Sequence, residues 1–223
     1  MVEIAPNGKA MSEARQQILD RIRRATTGGA PSSYPELPRE YTHRGRLDRN
    51  ACIALMVERL REYDAKVVEC APGDLIACIT DCLRKSGKCT FVAPSGLSAE
   101  WMIHGFSWKV DKDLSYAAIE ASDGVVTACF AAVADSGTIV LHHSSTEGRR
   151  VVSLLPDWHL CILFTSQIVE TLPEYFKRCE LPPRLATYIS GPSATADIEM
   201  TRIKGVHGPR FLHVIVVHDE TPS

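Results

Sequence analysis

Between residues 47 and 93 the apolar positions switch repeatedly between helical and strand-like spacing, and this restricts the fold more than any other feature. Cys52, Leu55, Met56, Leu60 and Tyr63 form one helical stripe, and Lys66–Cys70 is a short β-branched run ending at Pro72-Gly73. Leu75, Ile76, Ile79 and Leu83 make a second stripe, stopped near Gly87, and residues 90–93 follow as another strand-like run. Helix, strand, helix, strand with short links predicts an α/β fold on an open, mostly parallel sheet flanked by helices. The runs 160–164 and 211–217, the second broken only by His213, are apolar enough to be buried central strands. Residues 125–134 and 138–142 flank Asp135-Ser136-Gly137 and read as two strands joined by a tight turn.

Ahead of this domain, Ala14, Ile18, Ile22 and Ala25 recur at helical spacing, with Ser12 where an N-cap would stand. Gly28, Gly29, Pro31, Pro35 and Pro38 then break regular structure. Residues 1–40 are therefore expected to form an amphipathic helix on a Pro/Gly-rich tether, and residues 41–223 the α/β domain. A helix this short is marginal alone, so it must dock on its own domain or in a partner's groove.

Charge excludes two classes of function. Twenty-five Lys and Arg against 27 Asp and Glu leave a net charge of −2. Such a surface offers no broad basic stripe for nucleic acid or anionic lipid. Apolar runs such as 214–217 are far too short to cross a bilayer. Residues 1–10 lack an apolar export signal, so a cytoplasmic location is expected, with the eight cysteines as free thiols.

Several chemistries lack their motifs. Ser86-Gly87-Lys88 resembles the end of a phosphate loop, but Cys82 stands where its first glycine belongs. No G-x-G-x-x-G follows a strand, and neither C-x-x-C nor a zinc-finger pairing occurs. Cys78 and Cys82 share a helix face with Cys89 seven residues on, which leaves the fourth ligand of a cluster unaccounted for. No metal site and no cofactor are expected in this chain. Ser136 is in no G-x-S-x-G elbow, and His142-His143 alternate on a strand, so one at most faces a ligand.

Polar residues gather in the last third, and the expected site lies there, in a crevice at the carboxyl ends of parallel strands. Gly191 and Ser193 follow a strand-like segment and fit an anion-binding turn of backbone N–H groups. Equally, Ser193 or Thr195 fits the cap of a helix whose first turn holds Asp197 and Glu199. If extended, those carboxylates share a face; if helical, they diverge by about 200°. His207 beside Gly208, and His159 beside a strand start, each fit a structural or a ligand-facing role. Arg149 and Arg150 read either as a solvated pair or as the source of a bidentate carboxylate clamp.

These residues also carry a family resemblance. The segment 190–199, Gly205-Val206-His207-Gly208-Pro209-Arg210, the stretch 134–140, Arg149-Arg150 and Leu155-Pro156-Asp157-Trp158-His159 together resemble the LUD-domain family of lactate utilization C proteins. The resemblance covers essentially the whole chain and is most specific in the two C-terminal motifs. It implies a fold like that of the ribose-5-phosphate isomerase and CoA-transferase group. It also implies a part in oxidising L-lactate to pyruvate beside partner proteins that carry iron–sulfur clusters, with this chain as a non-redox component. Together with residue chemistry it nominates Ser136, Gly137, Thr138, Arg149, His159, Gly191, Ser193, Thr195, Asp197 and Gly208 as ligand-binding. Glu199, Asp135 and His207 are the catalytic candidates. The alternative is a stand-alone transferase- or isomerase-like enzyme on a phosphorylated or CoA-linked small acid. Glu199 or Asp135 would then be nucleophile or base, with His207 as acid. Fold analogy alone supplies no mechanism.

Overall fold

The computed structural model describes residues 8–26, 40–179, 183–192, 194–195, 203–205 and 207–219. The chain divides into two units, Met1–Tyr41 and Thr42–Ser223. In the first, helix α1 spans Gly8–Thr26, so Ser12 lies inside the helix and is not its cap. Ile18 and Ile22 stand one turn apart on it, while Asp20 accepts hydrogen bonds from Gln16 (3.2 Å) and Arg23 (3.0 Å). The expected tether at 27–39 lies outside the described residues.

The second unit is built on a wholly parallel six-stranded sheet. Its order is β1 (Lys66–Cys70), β12 (Phe211–Val217), β7 (Trp158–Phe164), β4 (Gly124–Thr127), β2 (Thr90–Pro94) and β3 (Ser107–Asp111). The two most apolar strands are central, paired from Phe211 against Trp158 to Val217 against Phe164. Alternate side chains serve opposite faces. Leu160, Ile162, Ile215 and Val217 pack with Ile79 and Leu83 of α3 (Leu75–Ser86). Cys161, Leu163, Val214 and Val216 pack with Met56 and Leu60 of α2 (Arg49–Glu62) and with Ile139 and Leu141 of the second sheet. Fully burying each Leu or Ile contributes about 1.5–3 kcal/mol.

The helix ends follow their caps. Asp48 accepts the Ala51 N–H (2.9 Å) at the start of α2, and Gly87 closes α3 in the left-handed region at φ 69°.

That second sheet runs β8 (Ile168–Val169), β5 (Ala131–Val133), β6 (Thr138–Leu141) and β9 (Thr187–Ile189). Its far face is covered by Tyr175 of α5 (Leu172–Arg178). A short helix, α4 (Tyr116–Glu120), precedes β4, and β10 (Ala194–Thr195) pairs antiparallel with β11 (Ile203–Lys204).

Residues 125–134 are not one strand. The chain leaves the parallel sheet after Thr127 and re-enters the other sheet at Ala131, through Ala128-Cys129-Phe130. The Ala128 N–H donates to the Thr146 carbonyl (3.2 Å) and the Phe130 N–H to that of Val140 (2.9 Å). Both halves are buried, so the apolar run carries no mark of the crossing. The tight turn does join β5 to β6.

Candidate functional site

The carboxyl ends of β2 and β3, where an α/β crevice is expected, are largely closed. The loop after β6 folds across them, with the Gly96 N–H donating to the Ser145 carbonyl (2.8 Å). Arg149 donates to both oxygens of buried Asp111 (2.9 and 2.7 Å) and to the Leu114 carbonyl (2.9 Å). Those Arg149 hydrogen bonds hold the Asp111 carboxyl below the usual carboxylate range, against the opposing effect of burial. Within the same loop, buried Glu147 accepts the His142 N–H and the Ser144 hydroxyl (2.9 Å). About 220 Å³ of space remains.

The open cavity, about 350 Å³, lies instead over the amino ends of β7 and β12. Its floor is His159 and Leu212, the second residue of each strand. Arg150, Ser153 and Leu154 wall one side, Thr187, Tyr188 and Ile189 of β9 another, and 190–192 and 207–209 complete the rim. Besides the smaller space at the carboxyl ends, there is thus a larger one at the amino ends. The cause is that β9 and the segment before β12 pass over those ends.

His159 is 1% exposed and shares a 2.8 Å hydrogen bond with the Thr127 hydroxyl of β4. Burial pushes its pKa down to about 4, so it is neutral at pH 7 and acts as a hydrogen-bonding group, not a cation. Arg150 donates to Thr187 Oγ1 (3.1 Å), and that hydroxyl also pairs with His143 Nε2 (2.8 Å). His143 Nδ1 lies 2.9 Å from the Gly148 carbonyl, which can only accept, so Nδ1–H donates there. Behind Tyr188, the Tyr175 hydroxyl bridges to it (3.3 Å) and to His142 Nε2 (2.8 Å). Burial raises the Tyr175 phenol, helped by the Tyr188 hydrogen bond, and lowers the His142 imidazole. The cavity thus combines a guanidinium, several hydroxyls, a neutral imidazole and apolar patches at Leu154, Ile189 and Leu212. Among the described residues no Asp or Glu lines it.

Of the sequence-nominated residues, His159, Gly191, His207 and Gly208 meet at this cavity. Thr138 reaches it indirectly: its hydroxyl bonds Ser190 (2.8 Å), a lining residue, and Ser136 (2.8 Å). Gly137 and Gly191 have packing reasons to be glycine. Gly137 has φ 60°, and an added Cβ would lie 2.6 Å from Arg59 Cβ; at Gly191, with φ 90°, it would lie 2.3 Å from Tyr63 Cβ. Asp135 is exposed in the turn, its N–H donating to the Glu170 carbonyl (3.0 Å), and is not a lining residue. Arg149 is likewise not at this cavity, because Asp111 holds its guanidinium; its neighbour Arg150 is there instead. Thr195 is extended and paired with Ile203. Ser193, Asp197 and Glu199 lie outside the described residues.

Sequence reasoning passed over Thr127, Thr187 and Tyr188, which sit in strands with nothing local to distinguish them. Among the described residues, no three His, Cys, Asp or Glu side chains are grouped to hold a metal ion. Cys70 meets Cys78, and burial with that contact pushes its thiol up to about 12. No helix among the described residues is long and apolar enough to cross a membrane.

Comparison with known proteins places this geometry in context. The LUD domain matches residues 53–217. A protein named lactate utilization protein C from Deinococcus radiodurans is 35% identical over 210 residues, covering 92% of this chain and 96% of that protein. Lactate utilization protein C 1 of Bacillus mycoides is 36% identical over 129 residues, covering 54% of this chain and 55% of its own length. A crystal structure of a DUF162 family protein from Deinococcus radiodurans superposes with a TM-score of 0.64 at 31% identity, covering 77% of this chain and 99% of that one.

Proposed function

Because the chain belongs to the LUD domain family, we propose that it serves lactate utilization, as a component that binds a small carboxylate in the cavity over β7 and β12. The observation that carries this reading is the lining: Arg150 supplies a cation, with Thr187, Ser190 and neutral His159 beside it and no described carboxylate opposing them. A 2-hydroxy or 2-oxo acid has matching groups, a carboxylate for the guanidinium and a second oxygen for a hydroxyl or imidazole donor. Relatives named for lactate utilization support that choice of acid.

Electron transfer from lactate needs a redox group, and in this proposal iron–sulfur partner proteins supply it. This chain then holds substrate or product, or a partner's acidic group, beside them. The test is to purify the tagged chain anaerobically from its host grown on L-lactate and follow lactate-dependent dye reduction. Activity should fall when the chain is removed and return when it is added back, but not with Arg150→Ala. Unchanged lactate oxidation without the chain would overturn the proposal. A screen of phosphorylated and CoA-linked acids would then take up the stand-alone enzyme reading.

A further inference from the structure

A second cavity, about 770 Å³, lies on another part of the domain, between the segment 43–49, strand β8 and helix α5. Arg44, Arg49, Lys177 and Arg178 line it, with Glu170 and Glu174 as its carboxylates. Both carboxylates are already engaged by backbone. Glu174 accepts the N–H groups of Gly45 (3.0 Å), Glu170 (3.1 Å) and Thr171 (3.0 Å), and Glu170 accepts that of Leu47 (2.6 Å). Burial alone would raise the Glu174 pKa, but those N–H donors outweigh it and hold the group ionised. Gly45 permits the approach: an added Cβ would lie 2.1 Å from a Glu170 carboxylate oxygen.

The cations are held differently. Arg49 donates to the Thr165 and Ile168 carbonyls (the latter at 3.0 Å), and Arg178 to that of Ser166 (3.1 Å). Lys177 donates to the His43 carbonyl (3.0 Å). Neutral carbonyls fix these groups in place without cancelling their charge. Arg49 and Arg178 are anchored on adjacent residues of one turn, so two guanidiniums stand side by side. Among the described residues none of the four cations forms an ion pair. The four cations outnumber the two carboxylates, of which Glu174 acts electrostatically on Arg178, and clustered, positioned donors in a concave site of net positive charge are what recognition of a multiply charged oxyanion requires.

We infer that this cavity binds a small molecule carrying at least two negative charges on phosphoryl or carboxylate oxygens, seated between Arg49 and Arg178 and reached by Lys177. The site is separate from the carboxylate cavity, whose lining shares no residue with it. It does not rest on the lactate reading.

The experiment is calorimetric titration of the full chain with pyrophosphate and with tricarballylate, a tricarboxylate with no 2-hydroxyl group, at ionic strength fixed with sodium chloride. Saturable binding is expected, weakened about tenfold or more by Arg178→Ala, which removes charge-assisted hydrogen bonds, and severalfold by the exposed Lys177→Gln. Arg150→Ala should leave it unchanged. Pyrophosphate bound well above tricarballylate identifies a phosphoryl ligand, and the reverse a polycarboxylate. No saturable binding of either, or binding lost with Arg150→Ala and kept in both cavity variants, would overturn the inference. Should Arg178→Ala fail to fold, Lys177→Gln alone decides: unchanged affinity there refutes it.

Discussion

Arg149 and Arg150 are neighbours in sequence with opposite situations. One closes the carboxyl end of the parallel sheet by pairing with buried Asp111; the other lines the cavity over the amino ends of β7 and β12. The difference teaches that a guanidinium matched by a buried carboxylate is structural, whereas one resting on a hydroxyl keeps its charge for a ligand. Where α/β sheets commonly open, this one is largely closed, and the proposed carboxylate cavity lies at the opposite ends of the strands.

The comparison breaks first at Asp111. Arg149→Ala strands a nearly buried carboxylate and should cost about 3 kcal/mol, toward the low end for such pairs because Arg149 is itself 40% exposed. Urea unfolding checks it, and a cost under about 0.5 kcal/mol, the usual range for a surface substitution, would deny the structural role.

The amino-end histidines have an acid signature. His159 and His213 both have pKa values pushed down to about 4 by burial, with Lys66 adding to the effect at His213. Unfolded histidine titrates near 6.5, so between about pH 6.5 and 4 the unfolded state binds more protons. Their contribution is complete above pH 6.5 and falls with pH by up to about 1.4 kcal/mol per unit for each histidine. His159→Gln should flatten that slope in unfolding curves taken from pH 7 to 4.5. An unchanged slope would mean His159 is charged in the folded protein.

Gly191→Ala must accommodate both φ 90° and Tyr63, and should cost about 1–3 kcal/mol. In a Tyr63→Gly background, which removes the clashing Cβ itself, the cost should shrink toward the backbone strain; a double-mutant cycle measures the coupling. Smallest of all is the stability effect of Arg150→Ala, within about 0.5 kcal/mol in the same urea assay.

The central strands were legible because apolar runs such as 211–217, interrupted only by His213, have few alternatives to a buried strand. β1 and α3 were legible from their period and from the stops at Pro72-Gly73 and Gly87. β3 was passed over: Ser107-Trp108-Lys109-Val110-Asp111 has the alternation of an edge strand, but with only two apolar positions in five residues it does not stand out, and it gains its place from pairing with β2. α5 is short and leaves Leu172 and Phe176 exposed, so its stripe is weak. At the site, the small and polar motifs drew attention to Gly191, His207 and Gly208, and the structure places all three on the lining of the amino-end cavity. Period and spacing cannot say which of two adjacent arginines meets Asp111, because that depends on where a loop crosses a distant strand end.

The most direct measurement is a calorimetric titration of the chain with pyruvate and with L-lactate, repeated on Arg150→Ala. Saturable binding of at least one acid to the native chain, abolished by Arg150→Ala while thermal unfolding is unchanged, is the expected result. No binding of either acid, or equal binding in the variant, would contradict the assignment of the amino-end cavity as the carboxylate site.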